Sequence, residues 1–118
     1  MAVLEHLTEF TAGETIEFSA ALKKDGAAWP DASNSQVALI IGSGSNSIST
    51  EIHRFTTAPQ VNLVDIPGAV WSFFLQEPDY NQLSANSTYR YEIWVSDAGN
   101  NPSLQLKGNF RLNSAIGP

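Results

Sequence analysis

At 118 residues, with 42% hydrophobic and only 15% charged side chains, the chain is sized for one domain around one core. Its surface is expected to be rich in Ser, Asn, Thr and Gln, because soluble domains usually carry about 25% charged residues. The net charge of −6 repels phosphate backbones and argues against nucleic acid as a partner. The absence of cysteine rules out disulfides and thiolate metal sites. The first ten residues lack the basic and apolar segments of a signal peptide. No apolar run approaches the roughly 20 residues needed to cross a bilayer. The expectation is a soluble chain made in a cytoplasm, with no membrane partner.

Taken in order, Val3 to Phe10 reads as a short first strand or arm, with Leu4, Leu7 and Phe10 spaced three apart. Gly13 marks a turn. From Thr15 the alternation is strong: Ile16, Phe18, Ala20 and Leu22 point one way, and Thr15, Glu17, Ser19 and Lys23 the other. Asp25-Gly26 closes this strand, since both residues tolerate left-handed backbone. Ala27 to Ser35, with Trp29-Pro30, reads as a loop. Val37 to Ile41 is a continuous apolar run of strand length, suited to a buried strand. Gly42 to Ser47 reads as a flexible tip. Ile48, Ile52 and Phe55 mark an edge-like strand that Pro59 interrupts. A short strand follows from Val61 to Ile66, then a Pro67-Gly68 turn. The next strand runs from Ala69 to Gln76, with Trp71, Phe73 and Leu75 on one side.

Residues Glu77 to Leu83 break the alternation and read as one helical turn, with Pro78 near its start and Leu83 as its inward anchor. The clearest strand of the chain spans Asn86 to Asp97. Tyr89, Tyr91, Ile93 and Val95 lie on one face of it, and Arg90, Glu92, Trp94 and Ser96 on the other. After a loop from Ala98 to Pro102, Leu104, Leu106, Gly108, Phe110 and Leu112 share a face. Asn113 to Pro118 reads as a tail. About seven or eight strands, turn signals every 8–12 residues and no long helix predict an all-β antiparallel β-sandwich in a single domain over 1–118.

Several stretches carry a family resemblance. They are Phe10 to Thr15 with its Gly turn, the strand ending Lys24-Asp25-Gly26, the apolar strand Val37–Ile41, the segment from Gly68 to Leu75, the acidic turn ending at Leu83, Thr88-Tyr89-Arg90-Tyr91 and finally Gly108-Asn109-Phe110. Over roughly residues 8 to 112 the chain resembles the immunoglobulin-like β-sandwich domains of tailed-phage virion proteins, especially the N-terminal domain of siphophage baseplate upper proteins. Asn86-Ser87 stands where that family usually has a Gly. The resemblance implies an immunoglobulin-like sandwich and a non-enzymatic structural role in the baseplate, tail, neck or capsid. It implies contacts to other virion proteins, homo-oligomerisation on assembly, and no cofactor.

Catalytic signals are weak. His6 and His53 lack metal-ligand spacing, and His53 reads as a surface residue of an edge strand. Gly42-Ser43-Gly44 lacks the Lys and helix of a phosphate loop. Asp25, Asp31, Asp65, Asp79 and Asp97 read as turn formers rather than a Ca²⁺ cluster. Three tryptophans carry more information. Trp71 reads as core. Trp29, in its loop, and Trp94, on the outward face of the best strand, read as exposed anchors for a protein interface or platforms for sugars, with the N-terminal arm as another possible cover for Trp94. Trp29, Tyr80, Trp94, Leu4 and Leu7 are the interface candidates, with a carbohydrate-binding module on Trp29 and Trp94 as the alternative function.

Overall fold

A computed structural model describes residues 3–4, 9–44, 48–96 and 102–114. Their strands are β1 (Val3–Leu4), β2 (Glu9–Thr11), β3 (Ile16–Ala21), β4 (Lys23–Lys24), β5 (Ala27–Ala28), β6 (Gln36–Ser43), β7 (Thr50–Phe55), β8 (Val61–Asp65), β9 (Val70–Leu75), β10 (Ser87–Ser96) and β11 (Pro102–Asn113). Two 3-10 turns, Ala32–Asn34 and Glu77–Tyr80, are the helical elements among the described residues.

The strands form an all-β sandwich. One sheet runs β1–β11–β10–β6–β7, with β2 also paired to β11; the facing sheet runs β3–β9–β8. β10 is central in the larger sheet because both of its neighbours pair along most of its length. Tyr91 sits opposite Gly108 on β11 and Ile41 on β6. Its inward residues Tyr91, Ile93 and Val95 are essentially without exposed surface. They face Ile16, Trp71, Phe73 and Leu75 from the other sheet, within one continuous core. The alternation on β3, β9 and β10 therefore sorts inside from outside as expected.

Local chemistry fixes the connections. Asp25 (φ 55) and Gly26 (φ 84) form the two-residue turn between β4 and β5. Both lie in the left-handed region that this tight hairpin requires. The turn at Glu77 is closed by Asp79, whose Oδ2 accepts the Gln76 N–H at 2.9 Å, and Leu83 is buried behind it. Tyr89 Oη accepts the Ser84 N–H at 2.5 Å, a tyrosine bond to backbone at the start of β10. Asn86 has φ 63, so its position needs left-handed backbone, which Gly or Asn supplies at low cost. Asn86→Gly is expected to be near neutral, whereas Asn86→Ala is expected to cost about 1 kcal/mol or more; urea titration of the two variants checks this.

The structure corrects four expectations. Leu104 is not a core residue. A bulge in β11 places Ile93 opposite Leu106 but Trp94 opposite Leu104, so the extra residue, Gln105, moves Leu104 to the outer face beside Trp94. Gln105 is itself buried and accepts the Lys23 N–H at 3.0 Å. Second, β6 continues through Gly42 and Ser43, and only 45–47 of the expected flexible tip lie outside the described residues. Third, Trp29 is a core residue, 5% exposed. Its indole N–H donates to Ser35 Oγ at 3.0 Å, and Lys24 Nζ lies 5.5 Å over the ring, so the loop folds inward to seal one end of the sandwich. Fourth, Tyr80 is buried at 2% exposure. Its hydroxyl donates to the Glu14 carbonyl at 2.5 Å and accepts the Gly13 N–H at 3.0 Å.

Candidate functional site

The outer face of the larger sheet holds the best candidate. On β10 the outward residues are Arg90, Glu92, Trp94 and Ser96, in the order the sequence implies. Glu92 occupies both its oxygens within this strand. Oε2 lies 3.0 Å from Arg90 Nε, and Oε1 accepts the Trp94 indole N–H at 3.0 Å. Residues two apart on a strand project from the same face, so one carboxylate can bridge a guanidinium and an indole. Arg90 and Glu92 are buried, at 4% and 7% exposure. Such a pair repays its desolvation only when hydrogen bonds also satisfy it, and the indole N–H supplies one of these.

Trp94 is half-buried and lines a groove of about 480 Å³. Ala38 and Ile40 of β6 form its apolar floor. Ile48 closes one side, and the ion pair of Arg54 with Glu51 forms the far wall. The residue after Ile48 is tied to β6: the Ser49 N–H donates to the Ser43 carbonyl at 2.8 Å. A Cβ on Gly42 would stand 2.2 Å from the Thr50 carbonyl oxygen and 2.6 Å from Ile48 Cγ2. Only glycine allows this return so close to β6.

The electrostatics of the groove are self-contained. Arg54 donates Nε to Glu51 Oε2 at 3.1 Å and Nη2 to Glu51 Oε1 at 2.8 Å. The hydrogen bond from Arg54 holds the Glu51 carboxyl below the usual carboxylate range and, reciprocally, raises Arg54. Glu92 is matched by Arg90. Both acidic groups of the groove are therefore matched by adjacent guanidinia, and the surface presented to a partner is polar and balanced in charge, with one indole in it.

Of the other candidates, Trp29 and Tyr80 are spent in the core, as above. The Leu4 backbone pairs with Lys107 in β1; its side chain and all of Leu7 lie outside the described residues. Two residues not marked in the sequence, Val64 (58%) and Ile66 (56%), are the exposed large hydrophobics among the described residues. Val64 is the extra residue of a bulge between Leu63 and Asp65. No group of three or more His, Cys, Asp or Glu is placed to hold a metal among the described residues. Asp65 instead accepts the Gly68 N–H at 3.0 Å and Asp79 closes the 3-10 turn. No described helix is long and apolar enough to cross a membrane.

His53 departs from its expected surface position. It sits on edge strand β7 opposite Ile41, half-buried and stacked on Phe55 at 5.6 Å, with Nε2 buried and without a hydrogen-bond partner among the described residues. Burial holds its imidazole below the ordinary value, while the Asp79 carboxylate pulls weakly the other way. The folded state thus favours the neutral ring, and the unfolded chain takes up the proton first as pH falls. Its contribution is complete above about pH 6.5 and declines below it. Urea midpoints at about pH 7.5 and 5.5 are expected to differ less in His53→Phe than in the parent chain.

No family model matches this chain, and no curated protein is significantly similar to it.

Proposed function

We propose that this chain is a non-enzymatic structural protein of a tailed-phage virion that acts through protein–protein contacts, with the Trp94 groove as its contact surface. The observation that carries the contact surface is the Glu92 bridge. It spends two buried charges to hold one indole in a concave, neutral surface on the outside of a sheet, where the fold itself gains no core from it. Aromatic residues fixed in partly desolvated hollows are what protein interfaces concentrate their energy on. The virion assignment rests on the resemblance over residues 8 to 112. It is supported by Asn86, whose left-handed backbone explains why Asn can stand where the family usually has Gly. The partners in this reading are other virion proteins and further copies of the chain, and its place of action is the particle, after synthesis in the host bacterium.

A carbohydrate-binding module is the second reading, because a polar groove with one indole also suits a sugar ring. It has lost one of its two platforms, since Trp29 is buried. Trp94→Ala separates the readings. The variant is expected to keep its fold and lose at least tenfold in affinity for its virion partner, the effect of about 1.4 kcal/mol at a contact residue. A glycan array on which the parent chain binds and Trp94→Ala does not would favour the sugar reading instead.

A further inference from the structure

The smaller sheet has an undefended edge. Both N-terminal strands, β1 and β2, pair with β11 of the larger sheet, so β3 is hydrogen-bonded only to β9 among the described residues. The other long edges carry the features that block strand addition. β7 is bulged opposite Ile41 and Gly42 and bears the Glu51–Arg54 pair. β8 is bulged at Val64 and lies between Pro59 and Pro67. β3 has an unbroken register from Ile16 to Ala21, with no proline and no lysine.

Its free hydrogen-bonding groups can be assigned. The Leu22 N–H donates to the Ala69 carbonyl at 2.9 Å, toward β9. Backbone direction alternates along a strand, so Ile16, Phe18 and Ala20 also address β9. Glu17, Ser19 and Ala21 then aim their N–H and C=O groups away from the sheet, and all three are exposed.

We infer that β3 pairs with β3 of a second copy of this chain, antiparallel about a two-fold axis at Ser19, joining the two smaller sheets into one continuous sheet. The sequence is self-complementary in this register. Ser19 faces the partner's Ser19, and Glu17 faces the partner's Ala21, so every outward backbone group is bonded. On the exposed side, Glu17 lies diagonal to the partner's Lys23, an attractive pair on each side of the axis. On the inward side, Phe18 lies beside the partner's Ala20, large against small. Phe18 and Ala20 are only partly buried in the single chain, and the added strand covers them. Sliding the register one way sets Glu17 diagonal to the partner's Glu17. Sliding it the other way requires the Lys23 N–H, which Gln105 already holds. This pairing uses a different surface from the Trp94 groove and stands or falls separately from the virion reading.

Size-exclusion chromatography with light scattering, run as a concentration series on the full chain, tests the inference. The expected result is a rise toward twice the 12.8 kDa chain mass. Ser19→Lys sets two like charges opposite each other and is expected to return the mass to that of one chain with the unfolding midpoint unchanged. In this cysteine-free chain, Ser19→Cys is expected to form a disulfide-linked dimer on mild oxidation, since directly opposed strand residues have Cα atoms about 5.5 Å apart. Glu17→Cys, opposed by alanine, is not expected to do so. If Ser19→Lys does not fold, the two cysteine variants decide. A monomer at every concentration, a dimer that a folded Ser19→Lys leaves intact, or equal cross-linking of the two cysteine variants would overturn the inference.

Discussion

Glu92→Ala is expected to destabilise the fold by about 1–3 kcal/mol, the cost of leaving buried donors without the acceptor they use. The carboxylate lies 3.0 Å from Arg90 Nε and also receives the Trp94 indole N–H, so its removal takes one acceptor from a buried guanidinium and one from an indole together. Glu92→Gln keeps the shape and one acceptor oxygen and is expected to cost clearly less than Ala, though more than a surface change. Equilibrium urea unfolding measures both. Acrylamide quenching of tryptophan fluorescence reports the local consequence. Trp29 and Trp71 are buried at 5% and 4% exposure, so an increase in quenching in Glu92→Ala below the unfolding transition arises from a released Trp94. If the two substitutions cost the same, within about 0.5 kcal/mol of a neutral surface change, the bridge does not organise this face.

Gly108→Ala is expected to cost about 1–3 kcal/mol through overpacking. A Cβ at this position would stand 2.8 Å from Tyr91 Cε1 and 3.0 Å from its hydroxyl oxygen. Tyr91 cannot withdraw, because it is 1% exposed at the centre of the sandwich and lies near the rings of Phe18 and Phe110 at 6.4 and 6.5 Å. Gly108 and Tyr91 are directly opposed on adjacent strands, so the glycine makes room for the ring. The double variant Gly108→Ala with Tyr91→Phe is expected to recover part of the loss, because one of the crowded atoms is the hydroxyl. Denaturant midpoints of the four species of this cycle supply the coupling energy.

The sandwich was legible because its main strands obey period two. Ile16 to Leu22, Trp71 to Leu75 and Tyr89 to Val95 each place apolar residues at every second position, and each has that set facing inside. The Gly108 position belonged to the same pattern, but its reason is a contact across the sheet that a linear reading cannot contain. Bulges were not legible, and the one in β11 explains an error. One extra residue in β11 leaves the letters alternating while the chain switches faces, so Leu104 reads as core and packs beside Trp94.

Trp29 and Tyr80 failed for a different reason. Each is buried by a partner that sequence proximity does not announce: Ser35 beyond a 3-10 turn for the indole, and Glu14, 66 positions away, for the hydroxyl. The alternation on β10 did place Arg90, Glu92 and Trp94 on one outward face. It did not reveal that the first two are buried there, because alternation tells which face a residue takes and not what lies over that face.

The central claim is that the Trp94 face fixes the protein in a virion. Purified particles grown with the parent gene or with Trp94→Ala can be compared by quantitative mass spectrometry of the chain, normalised to a major capsid protein. The expected result is that the parent chain is a stoichiometric particle component, while Trp94→Ala stays folded and soluble in the lysate but falls at least tenfold in the particles. Incorporation of Trp94→Ala at the parent level, or absence of the parent chain from particles altogether, would contradict the account.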